Sequence, residues 1–268
     1  MKAVITGASS GIGRELARLL APRCTQLVLV GRNVQRLEAL RAELSAAHPG
    51  LSVFAFQADV SRREDCLRLH EAHPEADLLI NNAGFGDFGE FCRTSLEKEL
   101  SMIDTNIKGL HTLMKLYLPD MVARDAGQIL NVASIAGFMP GPLMATYYAT
   151  KAYVVRLSEA VRKELRARGS KVRISILCPG PVETGFAETA GIAGFKGMDA
   201  RKAAAYTLDH MDRFYIVPGF PVRASRLLVK VLPTAAVASV LYLVQGGRRG
   251  AGQPDAGPKA DTGGQIKA

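Results

Sequence analysis

Tryptophan is absent from the 268 residues, and only 6% of them are aromatic. Aromatics this sparse, with none interleaved among the basic residues, leave nucleic-acid bases little to stack on, so nucleic acid is not an expected partner. The balance of 34 Lys and Arg against 25 Asp and Glu, a formal charge of +9, instead suits surface solubility and attraction for an anionic cofactor. Cysteine is scarce. Cys24, Cys66, Cys92 and Cys178 lie far apart, at neither disulfide-framework nor zinc-ligand spacing, so free thiols are expected. The five histidines are scattered, His70 and His73 forming only an isolated i,i+3 pair, and no metal site is expected. No apolar run approaches the ~20 residues that cross a bilayer. Val231 to Val244 comes nearest, at about 14 residues, and Pro233 interrupts it. An apolar run begins at residue 2 and leaves no room for a signal peptide. These absences together predict a reducing, cytoplasmic setting.

What is present is a rhythm. Apolar runs near 2–6, 26–31, 51–58, 77–81, 127–133 and 172–178 alternate with helical patterns near 11–20, 33–47, 61–72, 95–124 and 145–168. Runs such as Leu-Val-Leu-Val are apolar almost throughout, which predicts strands covered on both faces. The alternation predicts an α/β fold, a doubly wound parallel sheet flanked by helices on both faces, in a single domain. Ligands bind outside the carboxyl ends of such strands, and Gly7, Asp59, Gly84, Ser134 and Pro179 all fall at those ends.

The first strand runs directly into Gly7-Ala-Ser9-Ser10-Gly11-Ile12-Gly13 and then a helix. Glycine allows the tight turn and a close backbone approach to a pyrophosphate, and the helix N-terminus offers free N–H groups to the anion. The second strand ends at Arg32 and Asn33, with no acid before Glu38. An acidic residue there would bind a ribose 2′-hydroxyl, whereas arginine pairs with a 2′-phosphate, so NADP(H) is favoured and NAD(H) stays open. Arg32 read blandly is a solvated residue opening the next helix. Arg14 is a second candidate partner for phosphate, or an exposed first-turn residue.

Tyr147 and Lys151 stand four apart in a predicted helix and share a face. An ammonium near a phenol favours the phenolate, so Tyr147 is expected to titrate below the usual ~10. A tyrosine so tuned gives a proton to a carbonyl oxygen or takes one from an alcohol. Ser134, thirteen positions before Tyr147 at the end of a predicted strand, is placed to hydrogen-bond the same oxygen. Tyr148 and Tyr153 fall on other faces of the helix. Alone, a Y-x-x-x-K pair is also an ordinary surface pair; the glycine turn is what raises it.

Over residues 2 to about 184 the chain resembles the classical short-chain dehydrogenases/reductases. The resemblance rests on T-G-x-x-x-G-x-G, Asp59-Val60, Asn81-Asn82-Ala83-Gly84, Asn106, Ser134, Tyr147 and Lys151, and Pro179-Gly180-Pro181-Val182-Glu183-Thr184. It implies a Rossmann-type fold and a nicotinamide cofactor. Ser134, Tyr147, Lys151 and Asn106 would be catalytic, Asn106 through a water in a proton relay. Gly7, Ser9, Ser10, Gly11, Ile12, Gly13, Arg32, Asp59, Val60, Asn82, Ala83, Gly84, Tyr147, Lys151, Pro179, Gly180, Val182 and Thr184 would hold the cofactor. Asp59 would meet the adenine and Thr184 the carboxamide. Residue by residue, Asp59 also reads as a helix cap and Asn81-Asn82 as turn residues.

The expected organisation is a dinucleotide-binding and catalytic domain over 1–219, with a lid at 185–213, an apolar helical extension at 220–245 and a disordered tail at 246–268. Phe186, Ile192, Phe195 and Met198 predict an apolar-lined substrate site. The extension packs on the core or on another subunit, or it rests on membrane, as in a subgroup with similar apolar C-terminal extensions. The expected function is hydride transfer between nicotinamide and a carbonyl or secondary alcohol, in a homodimer or homotetramer. The alternatives are a membrane-associated lipid or sterol dehydrogenase, and a nucleotide-binding sensor or assembly protein with incidental turnover.

Overall fold

The computed structural model describes residues 1–192, 196–229 and 231–247. Phe195 of the expected lid lining and the expected tail from 248 onward lie outside the described residues. In chain order the first elements are β1 (Lys2–Thr6), α1 (Gly11–Leu20), β2 (Gln26–Gly31), α2 (Val34–Ala47), β3 (Ser52–Gln57), α3 (Arg63–Ala72) and β4 (Leu78–Asn81). There follow α4 (Leu96–Ile103), α5 (Leu110–Ala123), β5 (Gln128–Val132), α6 (Ala145–Ala167) and β6 (Arg173–Leu177). The chain closes with β7 (Val182–Glu183), α7 (Phe186–Ala190), β8 (Met198–Asp199), α8 (Ala200–Asp209), β9 (Tyr215–Ile216), α9 (Phe220–Leu228) and α10 (Thr234–Gly246).

Seven strands form one parallel sheet in the order β3-β2-β1-β4-β5-β6-β9. Successive side chains of a strand point to opposite faces, so the apolar strands feed two cores. Ala3, Ile5, Leu27, Leu29, Leu78 and Ile80 pack with Leu16, Leu37 and Leu40 of α1 and α2 on one face. Val4, Val28, Val30 and Leu79 pack with Leu69, Leu113 and Val154 of α3, α5 and α6 on the other. This is the Rossmann-like architecture the alternation predicts. The chain leaves β1 toward β2 on one side and returns to β4 on the other, so the strand order reverses between β1 and β4. That reversal opens a crevice at the strands' carboxyl ends.

Three local expectations change. β3 lies at the sheet edge and is not covered on both faces; Phe54 is 44% exposed. The helix expected over 95–124 is interrupted by a π-helical turn, Asp104–Gly109, between α4 and α5. The C-terminal extension is two helices, because Pro233 has no N–H to continue a helix and stands instead at the N-cap of α10. Among the described residues, no helix is long and apolar enough to cross a membrane.

Candidate active site

At the end of β1 the chain must turn sharply into α1. Gly7 and Gly11 take positive φ, 65° and 54°, where a side chain would be strained. A Cβ on Gly13 would stand 2.4 Å from both the Gly7 carbonyl oxygen and Asn82 Nδ2, so only glycine lets α1 close on this turn. Ser10 precedes α1 with extended backbone, and its side chain makes no capping bond. The first N–H groups of α1 therefore point uncapped toward the crevice, where an anion is favoured.

The facing end of β4 is locked to β1. The Thr6 hydroxyl accepts from the backbone N–H groups of Asn82 and Ala83, each at 3.0 Å, and Asn82 Nδ2 donates to the Thr6 carbonyl at 2.9 Å. The Asn82 side chain thus ties the switch point to the glycine turn, its Nδ2 also donating to the Gly7 carbonyl at 3.2 Å. Asn81 Nδ2 donates to Asn131 Oδ1 at 2.9 Å in the interior of the sheet. At the end of β2, the Arg32 guanidinium is 70% exposed and 3.9 Å from an Asp59 carboxylate oxygen. Asn33 caps α2 by accepting from the Arg36 N–H at 2.9 Å. Asp59 accepts from the N–H and the hydroxyl of Ser61, at 3.0 and 2.7 Å, just ahead of α3. It is thereby a turn-forming residue as well as a wall of the crevice.

Across the sheet, Ser134 follows β5. Its hydroxyl accepts from the Ala136 N–H at 3.1 Å and donates to the Pro179 carbonyl at 3.4 Å. Lys151, one turn along α6, is buried and donates to the Val132 carbonyl at 2.9 Å. Its Nζ lies 5.8 Å from the centre of the Tyr147 ring. Burial pushes the Tyr147 hydroxyl up to about 12, partly countered by the nearby Ser134 hydroxyl. Burial also pulls Lys151 down to about 8. The expectation that Lys151 would draw Tyr147 toward neutrality is reversed: desolvation sets the direction, and Lys151 is not among the groups that move Tyr147.

Asn106 sits in the π-helical turn, a distortion that recurs at functional sites. Its carboxamide accepts from the Phe85 N–H at 3.1 Å and donates to the Phe85 carbonyl at 2.9 Å and the Thr150 hydroxyl at 3.1 Å. Thr150 in turn donates to the Tyr147 carbonyl at 2.7 Å. Asn106 therefore braces the floor under Gly84 and the first turns of α6, with its side chain fully engaged.

One cavity of about 1300 Å³ joins these pieces. It is lined by Gly7, Ser9, Ser10, Gly11, Ile12, Arg32, Asp59, Val60, Asn82, Ala83, Gly84, Ser134, Tyr147, Lys151, Pro179, Gly180, Val182 and Thr184. Of the residues expected from the sequence, Gly13 and Asn106 stand behind the wall, the first under the glycine turn and the second behind Gly84. Phe186 and Ile192 line the other end, whereas Met198 does not. Phe186 lies 5.1 Å from the Tyr147 ring, an approach that Gly86 permits because a Cβ there would stand 2.6 Å from it.

Sequence reading missed two parts of this wall. Arg36 and Arg18 join Arg14 and Arg32 at the adenosine end, where helical spacing from Asn33 would have signalled Arg36. Met144 and Tyr148 join the apolar end. Tyr148 was expected on another face, but at the mouth of the crevice the first turn of α6 presents more than one face to it. Tyr153 does lie away, its hydroxyl 2.8 Å from His111 Nδ1. A dinucleotide fits what is present: a glycine cradle a Cβ would fill, an uncapped helix N-terminus, and a cavity running on to Tyr147. Among the described residues no cluster of His, Cys, Asp or Glu could hold a metal ion. The Cys66 and Cys178 thiols are buried and pushed up to about 12 by desolvation.

The family model described as short chain dehydrogenase matches residues 1–192. An uncharacterised oxidoreductase of Staphylococcus epidermidis is 35% identical over 205 residues, 75% of this chain and 86% of that protein. A probable NADP-dependent dehydrogenase of Haemophilus influenzae is 34% identical over 209 residues, 76% of this chain and 79% of that protein. Among solved structures, a short-chain dehydrogenase from Sphingobium yanoikuyae in complex with NADPH superposes with a TM-score of 0.77 at 31% identity, covering 87% of this chain and 97% of that one. One from Burkholderia phymatum in complex with NAD gives 0.76 at 30% identity, covering 84% and 91%.

Proposed function

The chain belongs to the short chain dehydrogenase family, and on that premise we propose that this oxidoreductase is NADP(H)-dependent and interconverts an apolar carbonyl compound with its secondary alcohol. The observation that carries the reading is that Ser134, Tyr147 and Lys151 line the same cavity as the uncapped glycine turn of α1. When bound, the nicotinamide supplies the hydride acceptor or donor, and every other task falls to the chain. The α1 N-terminus and the glycine turn hold the pyrophosphate. Arg32 pairs with the 2′-phosphate, with Arg14 and Arg36 beside it. Asp59 and Val60 flank the adenine, Ala83 and Gly84 the ribose, and Pro179 to Thr184 the carboxamide.

In the reductive direction Ser134 donates a hydrogen bond to the substrate carbonyl oxygen and Tyr147 gives that oxygen its proton. Lys151 offers its ammonium to the nicotinamide ribose and to the phenolate left on Tyr147, stabilising charge as it forms. Asn106, its carboxamide taken up by Phe85 and Thr150, braces Gly84 and α6 behind the path by which a proton returns to Tyr147 through Lys151. Phe186, Ile192 and Met144 support the apolar character of the substrate. Exposed Leu96, Leu100 and Tyr153 on α4 and α6 support a homodimer or homotetramer.

Fluorescence titration with NADPH and NADH tests the cofactor, and Tyr147→Phe tests the chemistry. The expected outcome is an NADPH preference that Arg32→Glu abolishes or inverts. Tyr147→Phe should still bind NADPH but reduce ketones slower by roughly 10²–10⁴-fold. An NADH preference, or indifference to Arg32→Glu, sinks the phosphate assignment. Tight NADPH binding without Tyr147-dependent turnover on a broad ketone panel favours a nucleotide-binding sensor.

A second reading, a membrane-associated lipid dehydrogenase, is favoured by one observation. Phe220, Leu227, Leu228, Val231, Leu232, Val240, Leu243 and Val244 of the C-terminal helices and their connection are all exposed.

A further inference from the structure

The apolar end of the crevice is tied to the far end of the chain. α10 carries no charged residue and buries only Val237 and Gln245. A glutamine is the costlier of the two to bury, yet Gln245 is 2% exposed. Its Nε2 donates to the Tyr148 hydroxyl at 2.9 Å. Among the described residues its Oε1 has no hydrogen-bond partner, a desolvation cost that a leucine at this place would not carry.

Tyr148 is the residue on which the outer wall closes. Its ring meets that of Tyr147 edge-on, with centroids 6.1 Å apart. On the other side the loop before α6 lies flat against it: a Cβ on Gly141 would stand 2.1 Å from the ring. Leu143 in that loop takes a left-handed φ of 65°, which a branched residue rarely adopts. Met144, Ile192 and Phe186 complete the apolar cluster there.

We propose that α10 is part of the substrate site: Gln245 is a positioning residue that pins Tyr148 as the outer wall of the crevice and so limits the bulk of the carbonyl compound that reaches Tyr147. The substrate class rests on the reading above; the positioning of Tyr148 does not.

The test compares kcat/KM for a bulky ketone, benzophenone, with that for a small one, 2-butanone, each with NADPH. Loosening the wall should raise the benzophenone-to-butanone ratio by roughly fivefold, the worth of one ordinary hydrogen bond. That rise is expected in Gln245→Leu and in Tyr148→Phe, with no further rise in the double variant, since both remove the same bond. Gln245→Glu, whose carboxylate can accept from the Tyr148 hydroxyl, should restore the wild-type ratio. An unmoved ratio in Gln245→Leu, or additive shifts, overturns the proposal. Hydrogen–deuterium exchange over residues 141–149 decides it without turnover. Faster exchange in Gln245→Leu than in wild type supports the pinning, and equal exchange overturns it. If neither ketone is reduced by wild type, the carbonyl-reductase reading fails on that count, and the exchange result still stands for or against Gln245.

Discussion

Lys151 carries its charge at the bottom of the crevice, and desolvation pulls it from its ordinary 10.5 to about 8. Between those two values the unfolded chain holds a proton that the folded chain has released, so stability must rise with pH across that window. Below pH 8 the folded protein bears the whole cost of a buried ammonium, on the order of 3 kcal/mol from the shift of 10.5 to about 8. The lysine's bond to Val132 offsets about 1 kcal/mol of this. Lys151→Met should therefore melt several degrees above wild type at pH 7. The gap should narrow as pH rises from 8 toward 10.5 and wild type catches up. Tyr147 works in the other direction and only at higher pH. Its raised value, about 12 against 10, removes stability as pH climbs above 10. Melting curves from pH 7 to 10 check the argument, and a gap that ignores pH would refute it. The gain in stability should come with loss of turnover, the usual trade at a functional site.

Among the elements, the β1–α1 turn is the joint that permits least change. Gly13 has the Gly7 carbonyl oxygen 2.4 Å from where its Cβ would be. A backbone oxygen cannot rotate away as a side-chain tip can, so Gly13→Ala must push α1 off the turn. The expected cost is about 1–3 kcal/mol in a urea titration, with weakened NADPH binding. Gly50→Ala is the control: nothing lies within 4 Å of a Cβ there, and its midpoint should stay within about 0.5 kcal/mol of wild type. A Gly13→Ala protein as stable as the control would show that the turn can yield. The turn, the strand rhythm and the convergence of Ser134, Tyr147 and Lys151 on one crevice were legible in the sequence because each depends on short-range spacing. Three features were not. The π-helical turn at Asn106 interrupts a helical pattern that has no proline or glycine before residue 109 to announce it. The reversed shift of Tyr147 depends on how deeply the pair is buried, which spacing does not record. The Gln245–Tyr148 bond joins residues 97 apart, and no local pattern specifies that distance.

At the scale of the whole molecule, the C-terminal helices leave more apolar surface in water than a monomer's packing explains. Val231 is 79% exposed and Leu243 75%, and the exposed positions around α10 occupy most of its circumference. A second copy would cover one stripe of such a helix; a lipid surface can surround more of it. At 13 residues α10 is about 20 Å long, short of the ~30 Å hydrocarbon core, so it would lie in the interface and not cross it. Arg223 is exposed beside this surface, and the formal charge of +9 adds attraction for anionic headgroups. On these grounds the protein should sediment with phosphatidylserine-containing vesicles and less with phosphatidylcholine alone. Added salt should weaken the first but leave an apolar remainder. The pair Val231→Ser and Leu243→Ser lies away from the crevice wall, so it should lose vesicle binding while keeping its affinity for NADPH. Sedimentation velocity without vesicles supplies the opposing outcome. A wild-type dimer that the same pair dissociates, with no vesicle binding by either protein, would assign the surface to a second copy and remove the membrane reading.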